Sequence, residues 1–188
     1  MIRLPSILVF LLLTFPLLVW SQEGVFVREE EAPKAVFPDA TAWERRVIPS
    51  TPELKQKIQE RMGRTKTSLW EGTYVSFVAR NGATIIGYAV IVEEIGKHRP
   101  ITFVVGVGSQ GKVKDVALMA YREAYGGEVK DKRFLTQYEG KDLQAPLLPY
   151  RDIQNITGAT LSVEAIGRGT KKALALVEIV YLRPEGKK

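Results

Sequence analysis

The sequence predicts an α+β fold, an antiparallel β-meander packed against helices within a single domain. Three observations predict it. Between Tyr74 and Met119, four segments rich in β-branched and aromatic residues follow one another through short connections. Asn81-Gly82, the strongest short hairpin signal, joins the first two of them. Stretches with helical apolar spacing lie on either side, with Leu54, Ile58 and Met62 before the strands and Ile166, Thr170, Ala173 and Val177 after them. At 188 residues and 45% hydrophobic content, the chain can hold one well-cored domain and a short appendage.

In chain order, residues 1–21 carry Arg3, an apolar run through Ile7 to Leu13 and on to Trp20, and a small residue at Ser21. That pattern is expected of an export segment, either a cleaved signal peptide or a retained N-terminal anchor, and it places the body of the protein outside the cytoplasm. Residues 22–50 hold Arg28-Glu29-Glu30-Glu31 with Pro33, Pro38 and Pro49, and are expected to be mostly linker, with one turn of helix before Phe37-Pro38. The domain is expected over residues 51–183, with a charged tail at 184–188. It opens at Thr51-Pro52-Glu53, which supplies an N-cap, a proline at the first helical position and an early acid; the helix ends near Gly63.

The strands then run Tyr74–Ala79, Ile85–Val92, Ile101–Val107 and Val113–Met119. The last leads into Tyr121-Arg122-Glu123-Ala124-Tyr125-Gly126-Gly127, where paired glycines permit positive φ and close backbone approach. Asp131 to Tyr138 suggests a short amphipathic helix with Phe134 and Tyr138 in the core. After a proline-bounded loop, Thr157-Gly158-Ala159-Thr160 precedes the last long helix, whose Gly167 and Gly169 cost about 1 kcal/mol each relative to alanine and so imply close packing.

Composition excludes several function classes. No cysteine is present, so there is no disulfide framework, thiolate nucleophile or cysteine-ligated iron–sulfur cluster. The only histidine, His98, reads as a turn residue, which argues against a histidine metal site or a Ser-His-Asp triad. The net charge is +6, but basic residues are scattered among 21 acidic ones and form no stripe of the kind a nucleic-acid reader needs.

The chemistry concentrates at Thr157-Gly158-Ala159-Thr160. Two hydroxyls flank a step small enough for another molecule to approach, at the start of a helix whose N–H groups and dipole favour an anion by roughly 0.3–1 kcal/mol. A phosphate suits such a place, and so does an ordinary threonine N-cap with no ligand. The second Gly-Ala-Thr, at Gly82-Ala83-Thr84, sits in a hairpin turn with no helix after it and reads as a decoy.

The tetrapeptide, with Asp152 and Ile156 ahead of it, resembles the (Ser/Thr)-Gly-Ala-Thr flavinylation signature of FMN-binding domains. These include the C subunit of Na+-translocating NADH:quinone reductase and the G subunit of Rnf electron-transport complexes. The resemblance covers roughly Trp70 to Val180, with the meander, the Glu-Gly-Gly turn and the threonine motif in the family's order. It implies FMN joined through its phosphate to Thr160 by an FMN transferase, with Thr157, Gly158, Ala159 and Leu161 around the attachment and Glu123 and Gly126 as further cofactor contacts. The family's acidic residue three positions before the first hydroxyl is Gln154 here, although Asp152 lies two residues further upstream.

The function this implies is an exported, membrane-associated electron-transfer flavoprotein. It would be periplasmic or on the outer face of the cytoplasmic membrane, and would relay electrons between a membrane redox complex and other exported carriers. It would be one component of an assembly rather than a stand-alone enzyme. Two alternatives stay open: a non-redox interaction or sensory module of the same fold, and a reductase using FMN on a small acceptor, for which the sequence offers no convincing acid–base pair.

Overall fold

The computed structural model describes residues 24–184. The expected export segment and most of the charged tail lie outside them. Six antiparallel strands form one sheet: β1 (Gly24–Val25), β2 (Ala42–Pro49), β3 (Thr73–Asn81), β4 (Thr84–Ile95), β5 (Pro100–Gly108) and β6 (Val113–Tyr121), in the spatial order β1-β6-β5-β4-β3-β2. The four expected strands are therefore consecutive neighbours, β3 to β6, as a meander requires. The β3–β4 turn pairs Asn81 with Thr84, and Gly82 takes φ 57°, the left-handed conformation that glycine adopts without steric cost. The decoy Gly-Ala-Thr is thus consumed by the hairpin.

Among the described residues the α-helices are four: α1 (Ala32–Val36), α2 (Pro52–Met62), α3 (Lys132–Leu135) and α4 (Thr160–Val177). Thr51 caps α2, its hydroxyl accepting from Leu54 N at 3.2 Å, and Gly63 ends it at φ 62°. α3 continues into a tight turn over Thr136–Tyr138, and the Phe134 and Tyr138 rings meet edge to face at 6.0 Å, both buried. α4 lies across β4 and β5. Its Gly169 permits this approach, since a Cβ there would sit 2.4 Å from the Phe103 ring. Gly167 serves a different neighbour than the sheet, because a Cβ would fall 2.1 Å from the carbonyl oxygen of Leu147 in the loop before the threonine motif.

Residues 24–50 are not the linker the proline pattern suggested. β2 pairs with β3 along its whole length, from Ala42 against Arg80 to Pro49 against Thr73. It is an edge strand held by backbone bonds, so both its faces stay largely exposed and its sequence shows no alternation. α1 covers the sheet face opposite α4. Val36 and Phe37 fill a hollow left by Gly106 and Gly87, where a Cβ would come within 2.9 Å of Val36 and 2.4 Å of the Phe37 ring. The sheet consequently has two apolar cores: a large one with α2, α3 and α4, and a smaller one around Ala32, Val36, Phe37, Val104 and Met119.

Candidate functional site

α4 begins without a side-chain cap. Its N-cap is Ala159 at φ −121°, and Thr160 is the first helical residue. The ordinary-cap account of the threonines therefore fails on geometry, because the capping position holds a residue with no polar side chain. The N–H groups of Thr160, Leu161 and Ser162 have no carbonyl one turn back to bond. Gly158, at φ 82°, turns the chain into the helix with open space around the position of a Cβ. Leu161 is half-exposed, and Thr160 is partly so.

A cleft of about 360 Å³ opens at this helix start, near the lower end of the range for small-molecule sites. Gly158, Ala159, Thr160, Leu161 and Ser162 form one wall, and Lys97, His98, Glu123, Ala124 and Tyr125 form the other. The second wall comes from two connections, the β4–β5 hairpin and the segment after β6. Both reach α4 because β4, β5 and β6 are adjacent and the connections lie at the same end of the sheet.

Specific contacts lock the two walls together. The Tyr121 hydroxyl, at the end of β6, lies 3.0 Å from Ser162 Oγ in the first turn of α4 and donates to the Tyr125 carbonyl at 2.5 Å. Gly126, at φ 81°, packs directly on Ala159, whose Cβ would be 2.6 Å from a Cβ at position 126. Only glycine meets both conditions, the positive φ and the missing volume.

The expected site residues divide among three roles. Gly158, Ala159, Thr160, Leu161 and Glu123 all line the cleft. Gly126 lies behind it as a packing surface. Thr157 faces a neighbouring depression with Tyr150, Asp152, Gln154 and Asn155. Glu123 borders the cleft, but its Oε1 accepts from His98 N at 2.6 Å and Arg99 N at 3.0 Å, so the carboxylate secures the hairpin wall. Partial burial by itself would raise its pKa; the N–H groups of Arg99, His98 and Lys97 outweigh that and hold it below the usual carboxylate range. Asp152 is likewise engaged, accepting from Leu148 N at 3.0 Å and Leu147 N at 3.2 Å and pairing with Lys141 at 3.2 Å.

Lys97, His98, Tyr125 and Ser162 are wall residues that the sequence did not single out for this site. Gly96-Lys97-His98-Arg99-Pro100 is indeed a turn, as its composition suggests, and only the strand order brings it beside a helix that starts some sixty residues later. Ser162 carried a weak signal as the hydroxyl just after the motif. Among the described residues, no group of histidines and carboxylates is arranged to hold a metal ion, and no helix is long and apolar enough to cross a membrane.

A phosphoryl group fits this geometry. Thr160 Oγ1 stands at an uncapped helix start, Gly158 leaves room beside it, and the other wall carries Lys97 and His98. Comparison with known proteins finds matches over the same part of the chain. Residues 96–175 match the family model described as the FMN-binding domain. Over 108 residues the chain is 29% identical to the G subunit of a proton-translocating ferredoxin:NAD(+) oxidoreductase complex from Clostridium ljungdahlii, a match covering 54% of this chain and 58% of that relative. The segment matched by the family model runs from the β4–β5 hairpin almost to the end of α4, and so includes both walls of the cleft.

Proposed function

We propose, from the match of residues 96–175 to the family model described as the FMN-binding domain, that this chain is an electron-transfer flavoprotein carrying FMN on Thr160 through a phosphoester. The observation that carries this reading is the helix start itself: a threonine hydroxyl at an uncapped, open end of α4, beside a cleft of small-molecule size. Thr160 supplies the attachment oxygen. The free N–H groups of the first turn and the cationic hairpin wall offset the charge that the phosphodiester retains. Leu161 and Tyr125 give the cleft an apolar rim on which a planar ring can rest.

When bound, FMN supplies reversible one- or two-electron chemistry, and the protein's part is to position it and set its electrostatic surroundings. The carboxylate that borders the cleft, Glu123, is held by backbone N–H groups, which suits a relay better than substrate turnover. The relative from Clostridium ljungdahlii belongs to a ferredoxin:NAD(+) oxidoreductase complex, which supports a membrane redox complex as partner here. An FMN transferase would carry out maturation. The N-terminal apolar segment supports an extracytoplasmic location, where a covalent link prevents loss of a cofactor that cannot easily be replaced.

The test is the intact mass of protein co-produced with an FMN transferase. An FMN-sized increment that disappears in Thr160→Ala is the expected result. A chain that stays unmodified would favour the flavin-free interaction module, the reading suggested by Gln154 at the family's acidic position.

A further inference from the structure

We propose that Asn155 is the positioning residue for attachment at Thr160, orienting the acceptor hydroxyl toward the cleft and itself braced by Tyr150. The inference rests on the reading of Thr160 as the attachment residue and deepens it. Asn155 Nδ2 donates to Thr160 Oγ1 at 2.9 Å and to the Tyr150 hydroxyl at 2.6 Å. An amide nitrogen has two hydrogens, so both are committed and the side-chain plane is fixed. One lone pair of Oγ1 is occupied by this bond, which selects the threonine rotamer and leaves the hydroxyl proton and the other lone pair for the cleft.

The bracing is itself costly to build. Tyr150 sits at φ 63°, an unfavourable region for a bulky residue, and is 79% exposed, so burial does not account for its placement. The turn that carries it is tied by Asp152, whose carboxylate oxygens accept from Leu147 N and Leu148 N, and by Tyr150 N donating to the Ile153 carbonyl at 3.1 Å. Asn155 Oδ1 is buried with no hydrogen-bond partner, so one polar atom is left unsatisfied to keep the amide nitrogen facing the two hydroxyls. No carboxylate takes this role. Asp152 is consumed by the turn, and Gln154 is exposed, with its backbone N–H donating to Gln137 Oε1 at 2.6 Å.

Attachment is a phosphoryl transfer without change of oxidation state. It requires a donor with a leaving group on the FMN phosphorus, and a flavin–adenine dinucleotide is such a donor. The bond from Oγ1 to phosphorus forms, the pyrophosphate bond breaks, adenosine monophosphate departs with the bridging oxygen, and the threonine proton passes to the transferase or to water. Holding Oγ1 in one orientation makes the attack more frequent without changing how the transferase grips the chain.

The full chain, produced without transferase, is treated with an FMN transferase and FAD, and the FMN mass increment is followed over time at several concentrations of the chain. Asn155→Ala is expected to lower kcat roughly tenfold or more while KM for the chain stays within about twofold, and Tyr150→Phe to lower kcat by a smaller factor of about three. Because Tyr150 is exposed, Tyr150→Phe keeps the test decisive should Asn155→Ala fail to fold. Equal kcat values for wild type and both variants, or an effect confined to KM, would overturn the positioning role while leaving Thr160 as the attachment residue. A wild-type chain that takes no increment, or a Thr160→Ala chain that still takes one, would overturn both.

Discussion

α4 meets the rest of the protein in two contrasting ways. At its middle, Lys172 is fully buried, yet its ammonium is surrounded by the Ser68 carbonyl at 3.0 Å, the Glu93 carbonyl at 2.8 Å, Glu71 Oε1 at 2.5 Å and Glu94 Oε1 at 2.9 Å. Glu94 also accepts from the Thr67 hydroxyl and Ser68 N and pairs with Arg168 at 3.5 Å. At its start, the same helix leaves its cap position apolar and its first N–H groups unpaired, with Leu161 exposed. A chain that satisfies a buried lysine so completely in one place leaves polar groups open in another where a ligand has room. The difference separates the part of the helix that maintains the fold from the part that serves the site.

Substitutions can break or sharpen this contrast, and the largest effect on stability is expected in the middle. Lys172→Met removes the cation facing the buried Glu94 carboxylate, which keeps Arg168, and the partly buried Glu71 carboxylate, and should cost about 3–5 kcal/mol, read by denaturant unfolding. Thr160→Ala, by contrast, should cost no more than about 1 kcal/mol, since its hydroxyl caps nothing and only accepts from Asn155, while removing covalent FMN altogether. If Thr160→Ala proved as destabilising as Lys172→Met, the division of roles along α4 would be wrong.

The junction between the walls lies between these extremes. Gly126→Ala meets Ala159 and an unfavourable φ together, and roughly 1–3 kcal/mol of stability should be lost along with the closeness of the walls. Tyr121→Phe removes the hydroxyl linking β6 to Ser162, for a loss of about 1 kcal/mol in thermal unfolding.

The smallest effect is pH dependence. Glu123 and Asp152 both titrate below their ordinary range because, despite partial burial, backbone N–H groups favour the charged form. The unfolded chain therefore binds protons that the folded chain refuses. The stability these groups contribute is complete above the unfolded carboxylate range, about pH 4–5, and is lost as pH falls through their depressed folded values. Glu123→Gln should flatten part of the acid limb of stability against pH, and an unchanged limb would remove its role as the hairpin's anchor.

Much of this was legible in the sequence where residues report their own burial. β3 to β6 announced themselves because their side chains are enclosed and because Asn81-Gly82 fixes one turn. Thr157 to Leu161 stood out because small residues and hydroxyls before an apolar helix need a reason. β2 was hidden because an edge strand is held by backbone bonds that no side chain advertises: Trp43, Arg45 and Val47 are exposed, as linker residues would be. The turn of helix before Phe37 was legible and is α1, but its packing on the sheet was hidden because that signal lies elsewhere in the chain, in the absent side chains of Gly87 and Gly106. The Lys97-His98 wall could not be read because sheet order, rather than local pattern, carries it to Thr160. Glu123 was singled out for the site and does border it, yet its hydrogen bonds go to the hairpin, a distinction that requires coordinates.

The most direct test of the central claim is the position of the flavin on the polypeptide. Trypsin should release Asp152–Arg168 as one peptide containing Thr157, Thr160 and Ser162, and fragmentation of that peptide from transferase-treated protein would locate the added mass. FMN on Thr160 alone is the predicted result. FMN on Thr157 or Ser162, or on a peptide from elsewhere in the chain, would contradict the account.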